Sequence, residues 1–200
     1  VGVCDTDIAK AQAFAMAYGA EAGTDAAEML ARLQPDFVDI ATTVGSHRAL
    51  VELAAQHARM VICQKPFAET LEDAAAMVAA CETRGVALTV HENFRWQRPI
   101  RELKARMDEI GSPRFLRMAF RHGFDIYANQ PYLATVQDLA LTDVGLHLFD
   151  MVRYLMGDVV RVSCETQARN PAVTGEDAFT ALLRHGSGAV SSVECSFYSV

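Results

Sequence analysis

The sequence predicts an α/β protein in two parts: a parallel sheet with helices on its faces, then a mostly antiparallel open sheet carrying one important helix. Three observations predict it. Short apolar runs alternate with helical segments up to about His91. Beyond His91 the apolar pattern mostly recurs every second residue, as in strands. In the first part each apolar run also ends on polar residues, where open parallel sheets place their ligands.

Taken in order, residues 1–5 form a strand ending at Asp5. Asp5-Thr6-Asp7 then supplies capping oxygens for a helix over 8–18 that Gly19 closes. A short helix over 25–33 stops at Gln34-Pro35-Asp36, and residues 37–41 form the next strand, ending at Thr42-Thr43. Ser46 is placed to cap a helix running to about 57. The central element is the strand over 60–63, followed by Gln64-Lys65-Pro66-Phe67. Pro66 cannot donate to a ladder, so Lys65 falls at the strand's carboxyl end. A helix over 70–83 and a strand over 86–91 complete this part. In one parallel sheet Asp5, Thr42-Thr43, Gln64-Lys65 and Glu92-Asn93 would share one edge, which describes a site.

The second part opens with a helix over 99–110. Alternating runs over 114–121, 159–166, 179–184 and 189–198 are strands, and His185-Gly186-Ser187-Gly188 turns the last two into a hairpin. Residues 127–141 are irregular and suit a loop over the site. A helix then begins near Leu141, where Asp143 and His147 stand four apart and would share a face. A carboxylate beside an imidazole fixes its tautomer, the arrangement a general base needs; a capping aspartate plus a core histidine is the plainer alternative. No third ligand stands at zinc-like spacing, so no metal is expected. The domain boundary is placed between a first domain over 1–94 and a second over 95–200.

The bulk properties narrow the partners. Net charge is −7 and no basic cluster stands out, which disfavours nucleic acid and anionic membrane surfaces. No apolar run has the length of a membrane span. Five cysteines without C-x-x-C spacing suggest a reducing compartment, hence the cytoplasm. The chain begins at Val1 in mid-strand and is expected to be part of a longer protein. Asp5, ending an early strand with no arginine close behind, suits an adenosine ribose and favours NAD over NADP.

Together Gln64-Lys65-Pro66, Asp143-Val144-Gly145-Leu146-His147 and His91-Glu92-Asn93-Phe94-Arg95-Trp96 resemble the motifs of the Gfo/Idh/MocA (glucose–fructose oxidoreductase/inositol dehydrogenase) family. The first is similar to that family's E-K-P, with Gln64 in place of glutamate, and the second to its D-x-G-x-H. The resemblance spans nearly the whole chain and implies a partial Rossmann-type domain, lacking its first β-α unit and glycine-rich phosphate loop, then a partial α+β domain. It implies an NAD(P)-dependent oxidoreductase that takes hydride from a secondary alcohol of a sugar, polyol or inositol-like substrate. Lys65 would contact the reacting hydroxyl, His147 would accept its proton, and Asp143 would orient or relay for His147. Thr42, Thr43 and His47 would line the nicotinamide side with Gln64 and Lys65, and Asn93 and Arg95 would meet substrate. The Lys-Pro bond is often cis in this family. A homo-oligomer is expected through the open sheet. Two alternatives stay open: redox-assisted glycoside cleavage, with His91, Glu92 or Tyr127 as a second base, and a non-catalytic cofactor- or sugar-responsive regulator.

Overall fold

The structure is a computed structural model that describes residues 1–123, 125–128 and 130–198. The chain forms two compact units, Val1–His91 and Glu92–Val200.

The first unit alternates strand and helix: β1 (Gly2–Cys4), α1 (Ile8–Tyr18), β2 (Glu21–Gly23), α2 (Ala26–Leu33), β3 (Phe37–Ile40), α3 (His47–Ala54), β4 (Met60–Cys63), α4 (Leu71–Arg84) and β5 (Ala87–Val90). All of its ladders are parallel. The expected single sheet is instead two, β1-β2 and β3-β4-β5, with no ladder joining β1 to β3 among the described residues. The polar strand ends are therefore divided, Asp5 on one sheet and the others on the second. β4 lies centrally, as the apolar run Met60-Val61-Ile62-Cys63 predicts, with Val61 and Cys63 fully buried. Those two side chains meet Ile40 of β3, Val51 and Ala54 of α3, and Met77 and Cys81 of α4 in one core. Burying each large aliphatic side chain there stabilises the unit by about 1.5–3 kcal/mol.

Capping chemistry sets the helix starts. The side chains of Asp7, Asp25 and Thr70 accept from Ala9 N, Glu28 N and Asp73 N. Ser46 departs from expectation. Its hydroxyl donates to Thr43 O (2.8 Å) and lies 2.7 Å from Thr42 Oγ1, so residues Val44–Ser46 wind as a 3-10 turn before α3. α3 then ends at Ala54 rather than near 57.

The second unit contains α5 (Arg98–Ala105), β6 (Phe115–Arg121), α6 (Leu146–Met156), β7 (Val159–Gln167), β8 (Ala178–His185) and β9 (Val190–Ser196). The helix expected over 99–110 breaks at Arg106 into α5 and a 3-10 turn, Met107–Ile110. Met107 packs there against Leu155, Met156 and Ala189. The sheet order is β6-β9-β8-β7, antiparallel except for the parallel pair β6-β9. β8 alternates buried and exposed from Phe179 to His185. Its inward residues Phe179, Ala181 and Leu183 pack with Val193 and Cys195 of β9 and with Leu148, Met151 and Val152 of α6. That core fixes the face of α6 and therefore the position of His147.

Candidate active site

At the carboxyl edge of β3-β4-β5 the loops are tied to one another by side chains. His47, 1% exposed, sets Nε2 3.1 Å from Thr42 O and Nδ1 3.1 Å from Phe67 O. Carbonyls only accept, so the neutral ring donates to one of the two and packs its other nitrogen against the second, lying between the loop after β3 and the loop after β4. The residue expected to line the nicotinamide side thus also shapes the loop bearing Thr42. The Lys65-Pro66 peptide bond is cis. Beside it, Gln64 Nε2 donates to Nδ1 of His91, which follows β5. Nδ1 being the acceptor, the His91 proton sits on Nε2. Glutamine at this position thus has a specific partner that sequence reading did not assign.

At the end of β1, Asp5 Oδ1 accepts from Asp7 N at 2.8 Å, and Asp7 caps α1 itself. The other Asp5 oxygen makes no hydrogen bond among the described residues, which leaves an acceptor for a ribose hydroxyl. Cys63, at the end of β4, is no nucleophile: burial, then the nearby Asp39, push its thiol up to about 11.

In the second unit His147, the second residue of α6, is 6% exposed. Its Nδ1 lies 2.6 Å from Glu92 Oε2 and 2.8 Å from Oε1. Glu92 Oε1 also accepts from Phe94 N at 3.0 Å. The Phe94 ring stacks on the imidazole, 3.9 Å between centroids and 7° between planes. The carboxylate found on Nδ1 therefore comes from the segment after β5. Asp143, the carboxylate expected there, lies in a π-helical turn, Leu141–Gly145, that leads into α6. Buried Glu176 holds the turn open by accepting from Leu141 N at 2.8 Å.

Gly145 is required by close approach. A Cβ there would stand 3.0 Å from Ala140 O and 3.1 Å from the Phe179 ring. Arg95, expected at the substrate, donates to both carboxylate oxygens of Asp150 and lies 5.3 Å over the Tyr154 ring. Its pKa is raised first by that hydrogen bond, so it stays a fixed cation braced on α6. Asn93 opens the 3-10 turn Phe94–Trp96 without a side-chain cap. Cys195 is buried, and burial, then Asp143 and Glu176, push its thiol up to about 12. Among the described residues no group of three or more His, Cys, Asp or Glu could hold a metal ion. Among the described residues no helix is long and apolar enough to cross a membrane.

Polar ends of parallel strands, Asp5 in one sheet and Thr42-Thr43 and Gln64-Lys65 in the other, suit a nucleotide ligand, and the second unit separately holds a histidine arranged as a base. Comparison with known proteins agrees. Residues 1–92 match the family model described as "Oxidoreductase family, NAD-binding Rossmann fold" and residues 100–200 the GFO/IDH/MocA C-terminal domain. The chain belongs to the Gfo/Idh/MocA oxidoreductase family. It is 50% identical over its full length to a D-apiose dehydrogenase of Paraburkholderia graminis, and 47% identical over 98% of its length to one of Rhizobium rhizogenes. It spans 54% and 57% of those two relatives. A crystal structure of an oxidoreductase from Agrobacterium radiobacter, in complex with NAD+, L-tartaric acid and magnesium, superposes with a TM-score of 0.95 at 46% identity. That likeness covers 100% of this chain and 59% of the other.

Proposed function

We propose that the protein is an NAD-dependent dehydrogenase oxidising a hydroxyl-bearing carbon of a small sugar or polyol, with D-apiose the first substrate to try. The 50% identity along the whole of this chain to 54% of a D-apiose dehydrogenase carries the reading. Asp5 would hold the adenosine ribose, with Thr42 and Thr43 on the nicotinamide side. NAD, when bound, supplies the hydride acceptor. Lys65 would hold the reacting oxygen, its positive charge favouring the alkoxide character that develops there. His147 Nε2 would take the hydroxyl proton, a contribution of about 10²–10⁴-fold for a positioned base. Asp143 would act beside it on the same substrate group.

Redox-assisted glycoside cleavage needs a second base, and Glu92, one candidate for it, is spent on His147. The reading also takes the domains as 1–94 for NAD and 95–200 for substrate and assembly. The sheet face bearing exposed Phe115 and Leu182 suits contact between copies of the chain. A cytoplasmic location suits NAD dependence and the five free cysteines. NADH formation by the full-length protein, over a panel of D-apiose, inositols, polyols and aldoses, tests the reading. Turnover on a sugar or polyol supports it. NAD binding without turnover on any of them, or no NAD binding, overturns it.

A further inference from the structure

We propose that Glu92 is the positioning residue for His147: it sets the tautomer and ring plane that leave Nε2 as the proton acceptor. The proposal rests on the dehydrogenase reading above for its kinetic consequence, but not for its structural claim.

Three constraints meet on one imidazole. An ionised carboxylate only accepts, so two oxygens at 2.6 and 2.8 Å require the proton on Nδ1. The carboxylate is itself anchored, because Oε1 also accepts from Phe94 N. Phe94, two residues on, stacks on the ring at 3.9 Å and nearly parallel, which stops rotation out of plane. With side-chain exposures of 8% for His147 and 16% for Glu92, water competes weakly for either partner. One short segment, Glu92–Phe94, therefore sets both the tautomer and the plane of a histidine 55 residues away.

The chemistry follows. As the carbon's hydride passes to NAD, the hydroxyl O–H bond breaks and its proton moves to Nε2, leaving a C=O group. The imidazolium so formed already has its other N–H on a carboxylate, which stabilises the charge as it appears. Unpaired, the ring would be free to carry its proton on Nε2 and present a donor where an acceptor is needed.

Glu92→Gln is a nearly isosteric test. Phe94 N keeps the amide oxygen in the Oε1 position, so the amide NH2 takes the Oε2 position and donates to Nδ1. The ring is thereby driven to the Nε2–H form, the inverse tautomer. In full-length protein labelled with 15N-histidine, His147 should show Nδ1 protonated and Nε2 bare in the wild type. The assignment should invert in Glu92→Gln and stay as wild type in Asp143→Asn. Turnover should fall about 10²–10⁴-fold in Glu92→Gln through kcat, with KM for NAD and sugar within about twofold, the pattern of a misprotonated base. An Nε2–H ring in the wild type, or no inversion in Glu92→Gln, overturns the proposal, and the wild-type spectrum decides even where the variant fails to fold. If the nitrogen signals behave as expected but no sugar or polyol is oxidised, the dehydrogenase reading fails and the positioning of His147 stands.

Discussion

Gly145→Ala separates two physical expectations of opposite sign. Gly145 has ordinary right-handed helical angles, φ −56° and ψ −39°. On helix propensity alone, alanine there should stabilise the protein by about 0.8–1.0 kcal/mol. The surroundings say otherwise. The added methyl would meet the Ala140 carbonyl at 3.0 Å and the Phe179 ring at 3.1 and 3.3 Å. Neither can retreat easily: the carbonyl belongs to backbone at the π turn, and Phe179 is 2% exposed and stacked on Phe149. Overpacking of this kind costs about 1–3 kcal/mol, so the net change should be a loss of about 1 kcal/mol. Urea unfolding of full-length wild type and variant would measure it, with Phe179→Leu and the double variant completing a cycle. Leucine removes the ring contact, so Gly145→Ala should cost less in that background, a coupling of about 0.5–1 kcal/mol. Because His147 lies two residues further on, kcat should fall about tenfold or more through displacement of the base. Stabilisation by Gly145→Ala, or additivity with Phe179→Leu, would refute the close-packing argument.

Two further outcomes are expected. His47→Ala deprives one of the carbonyls of Thr42 and Phe67 of its donor, costing about 1–3 kcal/mol; because it loosens the loop bearing Thr42, it should raise KM for NAD more than KM for the sugar, measured by steady-state kinetics. An equal rise in both would place His47 outside cofactor binding. Alkylation of native protein followed by mass spectrometry should label Cys4 and Cys164, which are exposed, and spare Cys63, Cys81 and Cys195, which are buried; rapid labelling of Cys63 without unfolding would contradict the packing of β4.

The parts legible in the sequence were those written in local chemistry. The strand over 60–63 shows in a β-branched apolar run stopped by Pro66, and α1 in the capping oxygens of Asp5-Thr6-Asp7. The resemblance carried by Gln64-Lys65-Pro66 and Asp143 to His147 named the family. What the sequence hid lay in long-range geometry. β2 is Glu-Ala-Gly, residues of low strand propensity that form a strand only by pairing with β1. The π turn before α6 leaves no mark in a 3.6-residue pattern and depends on Glu176, 35 residues away. Glu92 stood in the sequence as a spare base, with nothing local to say that it faces His147. Gln64 stood as a departure from a motif, and its partnership with His91 depends on β4 and β5 lying side by side.

Lys65 and His147 are proposed to serve one oxidation reaction rather than cofactor binding. The most direct test measures NAD affinity and turnover together in full-length wild type, Lys65→Ala and His147→Ala, on the best sugar or polyol of the panel. NAD affinities should stay within a few-fold of wild type and turnover should fall at least about 10²-fold in both variants. Wild-type turnover in either variant, or a loss of NAD binding that matches the loss of activity, would contradict this assignment.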